Sequence, residues 1–270
     1  MKKVTKIFAG FIFAAIALSS CSSDDSSMAP NGSGLSSTNS RGSGGNGVPG
    51  QDGRGGSMAR FAISGNNLYT VDQGSLRHYE ISDANNPRQG NRVQLQFNVE
   101  TIFPYEDKLF IGTQQGMHVM GIQNPESPNL LATVTHFVSC DPVVANSRYA
   151  YVTLRGGTTC RGGNVNELQV IDLASITNPR MARTYQMVSP KGLGIDNDNL
   201  FVCDDVLKVF DATDPENLVE KQRLNINAFD VIPNNGNLLV IGSDGFYQYS
   251  YDNTNNALVF LSKISVQPIM

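Results

Sequence analysis

The chain has 270 residues, with 20 basic and 24 acidic side chains and a net charge of −4. Beyond the first six residues Lys and Arg are scattered, which argues against nucleic acid as a partner. Tryptophan is absent. That removes the flattest platform a glycan groove uses, and it weighs against a lectin or glycosidase.

Lys2, Lys3 and Lys6 form a short basic region, and Ile7 to Leu18 is a nearly unbroken apolar run. The run has the length of a signal-peptide core and is too short to span a bilayer as a permanent helix. It ends in Leu18-Ser19-Ser20-Cys21, which resembles the lipobox of bacterial lipoproteins. The resemblance implies cleavage after residue 20, a diacylglycerol on the Cys21 thiol and an acylated amine. A membrane is then a partner through the lipid anchor, which several acyl chains hold stably where a single chain holds marginally. Loss of residues 1–20 leaves 17 basic against 24 acidic side chains, a net charge of −7. Asp24 and Asp25, just behind the cysteine, look like the signal that sends some lipoproteins to the outer surface of the outer membrane. The periplasmic face is the alternative.

Residues 21–57 carry the lipidated cysteine and a Ser-, Gly- and Asn-rich stretch with few apolar side chains. Such a composition cannot bury enough surface to offset ordering, so a disordered tether is expected. As a flexible coil it would reach roughly 30–36 Å.

From residue 58 to 266 one unit recurs. A polar turn and a short apolar strand appear as Asn67-Leu68-Tyr69-Thr70-Val71, Lys108-Leu109-Phe110-Ile111, Tyr149-Ala150-Tyr151-Val152, Asn199-Leu200-Phe201-Val202 and Asn237-Leu238-Leu239-Val240. Leu68, Leu109, Ala150, Leu200 and Leu238 are spaced by 41, 41, 50 and 38 residues. A second strand follows at a fixed lag, a turn rich in Asn, Asp and Pro comes next, and an outer strand closes the unit. An inner strand opens each one, such as Thr101-Ile102-Phe103 or Asp230-Val231-Ile232. Four short strands per repeat of this length predict an all-β, five-bladed β-propeller of four-stranded blades, near 58–98, 99–138, 139–187, 188–226 and 227–266. The strand faces agree: Leu200 and Val202 point one way, Phe201 and Cys203 the other, and all are apolar. A sheet apolar on both faces must be sandwiched.

Leu168-Gln169-Val170-Ile171-Asp172 and Leu207-Lys208-Val209-Phe210-Asp211 resemble the signature of LVIVD-repeat proteins, a propeller family common on bacterial lipoproteins. The resemblance covers residues 56 to 265. It implies the fold and carries no established reaction. His78-Tyr79-Glu80, Val119-Met120-Gly121 and Gln248-Tyr249-Ser250 depart from the signature, which leaves the blade count open by one.

With Cys21 lipidated, three cysteines remain for an oxidising compartment. Cys140 lies just before an inner strand, and Cys160 lies in the 154–166 stretch that lengthens the third repeat. In a propeller both reach one rim, so a Cys140–Cys160 disulfide is expected, with Cys203 a buried free thiol. The bridge would pin the inserted loop, with Arg155 and Arg161, over the channel mouth. His78, His118 and His136 show no zinc-ligand spacing or catalytic set and read as structural. Asp196-Asn197-Asp198-Asn199 reads as a turn rather than a calcium loop. No cofactor and no metal site is expected, and no catalytic residue can be named.

One constellation remains. Arg60, Glu100, Asp141, Lys191 and Asp230 sit at or within one position of equivalent places where inner strands begin. In a ring they crowd one mouth of the central channel, either as a ligand site or as a self-neutralising ring of ion pairs; two bases among three acids favour the second. The preferred reading is a non-catalytic binding or scaffold module with a protein or glycan partner at the cell envelope. The rival is an extracellular polymer-degrading hydrolase or lyase using Asp141, Glu100 or Asp230 as acid and base. Two carboxylates about 5–10 Å apart, one with a raised pKa, would favour it.

Overall fold

The computed structural model describes residues 56–96, 98–135, 142–157, 165–252 and 257–266. The chain divides into two units, Met1–Asn46 and Gly47–Met270, and every described residue lies in the second. Cys21, Cys140, Asp141, Cys160, Arg161, His136 and the tether up to residue 55 lie outside the described residues.

Twenty strands form five separate four-stranded antiparallel sheets, each from four consecutive strands. The first blade holds β1 (Phe61–Ser64), β2 (Asn67–Asp72), β3 (Ser75–Glu80) and β4 (Arg88–Gln94). The second holds β5 (Val99–Tyr105), β6 (Lys108–Thr113), β7 (Gly116–Gly121) and β8 (Asn129–Thr135). The third holds β9 (Val143–Ala145), β10 (Tyr149–Leu154), β11 (Glu167–Asp172) and β12 (Arg180–Gln186). The fourth holds β13 (Leu193–Asp196), β14 (Asn199–Cys203), β15 (Leu207–Asp211) and β16 (Val219–Leu224). The last holds β17 (Ala228–Asn234), β18 (Asn237–Gly242), β19 (Gly245–Tyr251) and β20 (Leu258–Ser265). The protein is a five-bladed β-propeller, and the repeats that depart from the sequence signature build the same blade as the others. The helical content among the described residues is one 3-10 turn, Pro215–Asn217.

Local rules recur from blade to blade. In four blades a two-residue turn joins the inner strand to the next, and its first residue is left-handed: Gly65, Glu106, Asn197 and Asn235, with φ of 56°, 50°, 51° and 51°. Such turns match the twist of the strands they join. Asp196-Asn197-Asp198-Asn199 is one of them. All five blades also slip register at the same place between their third and fourth strands: Arg77/Tyr79, Val119/Met120, Val170/Ile171, Val209/Phe210 and Gln248/Tyr249. A bulge there adds twist where the blade widens.

The core is four apolar layers between neighbouring blades. Tyr69 and Leu76 meet Ile102 and Ile111; Phe110 and Val119 meet Val143 and Val152. Tyr151 and Val170 meet Leu193 and Leu200; Phe201 and Val209 meet Val231 and Val240. Strand β14 serves two layers, Leu200 and Val202 on one side, Phe201 and Cys203 on the other. Cys203 is buried and free. His78 and His118 are buried between blades, His78 Nε2 against Asn67 Oδ1 at 2.7 Å and His118 Nδ1 against Thr133 Oγ1 at 2.9 Å.

The seam between the last blade and the first differs. Among the described residues no apolar layer joins them. Ala62 packs toward the second blade, so Phe61 and Ile63 point the other way, and they remain 60% and 39% exposed. Val240 packs toward the fourth blade, so Ile241 points away from it and is 49% exposed; Ile264, on the same face, is 67% exposed.

What ties these ends is polar. Ser57 Oγ donates to Asp230 Oδ1 at 2.9 Å and accepts from the Leu193 amide at 2.8 Å. The Met58 amide reaches Asp230 Oδ2 at 3.5 Å, and the Val231 amide donates to Oδ1 at 3.0 Å. Two residues later Ala59 C=O accepts from the Ile102 amide at 2.9 Å. The segment 57–59 thus touches blades two, four and five at the axis. Glycine is required beside it: a Cβ on Gly56 or Gly192 would lie 2.1 or 2.2 Å from an Asp230 carboxylate oxygen.

Burial pushes the Asp230 carboxyl up to about 6, against the pull of its hydrogen bonds from Ser57 and the nearby amides. Unfolded, it titrates near 4. Between those values the folded chain holds a proton that the unfolded chain has released, so this group's contribution to stability is present below about pH 4 and is lost as the pH rises to about 6. Asp230→Asn keeps an acceptor for Ser57 and removes the buried charge. We expect it to abolish this component and to stabilise the chain above pH 6 by roughly 2–3 kcal/mol or less. The comparison is variant minus wild type in urea midpoints at pH 4 and 7, because Asp72 and Asp211, each held at about 2 by hydroxyl and amide donors, give the opposite slope in both proteins. A variant less stable than wild type at pH 7 would contradict a charged, desolvated Asp230.

Candidate functional site

Where the inner strands begin, all five blades contribute to one cavity of about 410 Å³. Its charged lining is Arg60 from the first blade, Glu100 from the second, Arg155 from the third and Lys191 from the fourth. Its apolar lining is Met58, Pro142, Pro190 and Phe229. Of the five charges singled out in the sequence, Arg60, Glu100 and Lys191 line this cavity. Asp230 is not in the lining, its carboxylate being bonded to Ser57, and Asp141 falls outside the described residues.

Two bulges explain the difference between Glu100 and Asp230. In β5 the register shifts between Val99 and Thr101, so the β5–β6 register skips Glu100, which lies on the cavity wall. In β17 the same shift falls between Ala228 and Asp230, so Phe229 takes that place and Asp230 rejoins the ladder. A bulge re-aims one side chain, and the bulged residue is the one that reaches the mouth. Pro104 and Pro233, each four residues further on, carry the signal that aligns Glu100 with Phe229 rather than with Asp230.

Lys191 is held on every side. Its amide donates to Cys203 C=O at 2.7 Å, and its carbonyl accepts from Thr153 Oγ1 at 2.5 Å. Its ammonium donates to Asn227 Oδ1 at 2.6 Å and to Ala228 C=O at 3.3 Å, and it sits 5.5 Å from the centre of the Phe229 ring. Burial pushes the Lys191 pKa down, and the Arg155 charge pushes it the same way. The connection that delivers it is clamped by Asp204. That fully buried carboxylate accepts from the Val188 amide at 3.0 Å, the Ser189 amide at 2.5 Å and Lys208 Nζ at 2.6 Å. Burial raises the Asp204 pKa, but Lys208 and the two amides outweigh it and hold the group ionised.

Glu100 accepts from Gln114 Nε2 at 3.2 Å. Arg60 and Arg155 make no ion pair among the described residues. The described lining therefore carries three cations and one carboxylate. Such a lining can hold an anion and orient it; among the described residues it presents one carboxylate. Among the described residues no cluster of three or more His, Cys, Asp or Glu is placed to hold a metal ion.

No family model matches this chain, and no curated protein matches it either. Solved structures do. A functionally unknown protein from Desulfotomaculum acetoxidans aligns with a TM-score of 0.64 at 10% identity, over 80% of this chain and 70% of that one. A protein from Lactobacillus plantarum aligns with a TM-score of 0.58 at 15% identity, over 73% and 67%. The periplasmic gluconolactonase PpgL of Pseudomonas aeruginosa aligns with a TM-score of 0.57 at 16% identity, over 75% and 68%. At these identities the likeness establishes the fold alone, and the chain is a β-propeller similar in architecture to all three.

Proposed function

We propose that this chain is a lipid-anchored cell-envelope protein whose propeller is a non-catalytic binding module, with its ligand seated at the channel mouth. The observation that carries the reading is convergence: side chains from all five blades line one cavity, and three of its four charged side chains among the described residues, Arg60, Arg155 and Lys191, are cations. A cavity of that size suits a small molecule or the tip of a larger one. Resemblance to a lipobox supports the anchor, and the acidic pair behind Cys21 supports display at the outer surface of the outer membrane. A Cys140–Cys160 bridge would tether the loop that begins at Arg155 close to the cavity that Arg155 lines.

A hydrolytic reading draws on one specific observation, the raised pKa of Asp230, next in the chain to the cavity residue Phe229, and on the likeness to a gluconolactonase. Against it, both Asp230 oxygens already accept hydrogen bonds from the 57–58 segment. The binding reading is the better supported of the two.

The anchor is checked by fractionation. Cys21→Ser should leave the chain unprocessed or release it from membranes, and normal membrane pelleting after cleavage would refute the anchor. Non-reducing peptide mapping should recover Cys140 joined to Cys160 with Cys203 free; a bridge to Cys203 would contradict the pairing. For the binding module, full-length protein isolated from envelopes in mild detergent should carry a small molecule by native mass spectrometry. Arg60→Gln combined with Lys191→Met should lose it. Turnover of gluconolactone by wild type, abolished in Glu100→Gln, would replace the binding reading with the hydrolytic one.

A further inference from the structure

We infer that the cavity takes a small organic anion: an oxyanion head, carboxylate or phosphate, on a flat apolar carbon skeleton. This rests on the binding reading above and names the ligand class.

The charge balance is the first support. Arg60, Arg155 and Lys191 come from three different blades and face one space, and among the described residues Glu100 is the carboxylate that lines it with them. Like charges brought together at a partly desolvated surface cost free energy unless something of opposite sign lies between them. Several surface cations elsewhere give a contrast within the same fold, although exposed Arg183 likewise has no ion pair among the described residues. Arg77, Arg88, Arg148, Arg223 and Lys263 each have a carboxylate within 3.3 Å, on their own strand or turn or the neighbouring one. At the mouth, Arg60 and Arg155 make no ion pair among the described residues.

Donor geometry is the second. Lys191 has three ammonium protons, of which Asn227 Oδ1 and Ala228 C=O accept two. The third is left for an incoming acceptor. Two guanidinium forks add donors suited to carboxylate or phosphate. The ammonium is fixed from two sides before any ligand arrives, which lowers the entropic cost of binding.

The third is the apolar wall of the cavity. Phe229 occupies the bulged position and lies on the cavity surface with Met58, Pro142 and Pro190. An inorganic ion would make no use of that wall. A carbon skeleton stacked on Phe229 would, and its head would then lie near the Lys191 ammonium, 5.5 Å from the same ring.

Titration calorimetry on the full mature chain in detergent tests this with three probes of one shape: benzoate, phenyl phosphate and uncharged benzamide. At least one anion should bind one-to-one and at least tenfold more tightly than benzamide, and its affinity should fall as NaCl is raised. The stronger of the two anions assigns the head group. Lys191→Met and Arg155→Gln should each weaken the anion at least tenfold, and Phe229→Ala should weaken both anions and benzamide. Arg60→Gln, at an exposed position where folding is not at stake, should weaken the anions alone. Arg148→Gln, on the ion pair with Asp172, is the control and should change nothing. Benzamide binding as tightly as the anions would overturn the anion class and leave the binding reading standing. No heat with any of the three would overturn both.

Discussion

A sheet that is apolar on both faces has to be covered on both, and this constraint governs the whole molecule. Five such sheets in a row cover one another at four seams, and each seam is a layer of Val, Leu, Ile and aromatic side chains. Fully burying one such side chain contributes about 1.5–3 kcal/mol. Two faces are left over, one on the first blade and one on the last. Among the described residues they are not sealed by apolar contact. The ends are instead held at the axis by one serine, one aspartate and a few amides, in a space that tolerates no Cβ on Gly56 or Gly192.

The cavity follows from the same arrangement. Inner strands that converge on an axis bring their first residues together, so any side chain that a bulge leaves out of the ladder points into common space. Neither a single blade nor a pair could build this site. The buried Asp204–Lys208 pair, two elements removed from the mouth, holds the connection that presents Pro190 and Lys191, and Asn227 and Ala228 hold the ammonium itself.

Much of this is legible in the sequence because repetition is a strong signal. Alternation in Leu200-Phe201-Val202-Cys203 already requires a blade with neighbours on both sides, and the repeat spacing brings Arg60, Glu100 and Lys191 to one mouth. What repetition does not encode is how far a side chain turns at an equivalent position. Asp230 looks like a mouth residue until Ser57, remote in sequence, gives its carboxylate a partner. Phe229 looks like an ordinary strand residue until a one-residue bulge moves it outward. Both depend on contacts that no local pattern records. The prolines at 104 and 233 mark equivalent places in the two strands, yet only a structure shows that the bulged residue is the one to follow.

The latch between Ser57 and Asp230 spans 173 positions of chain. Every other blade-to-blade layer joins neighbours in sequence, so each can form as soon as the next repeat is available. Closure at the axis cannot. A chain that emerges from its N-terminus presents Ser57 early and must leave its partner site empty until the fifth repeat has emerged. In that order ring closure comes last, when the intervening blades are already packed, so the step orders little beyond the segment around Ser57. Interactions made that late leave the rate of folding nearly untouched and act instead on how long the finished ring stays shut.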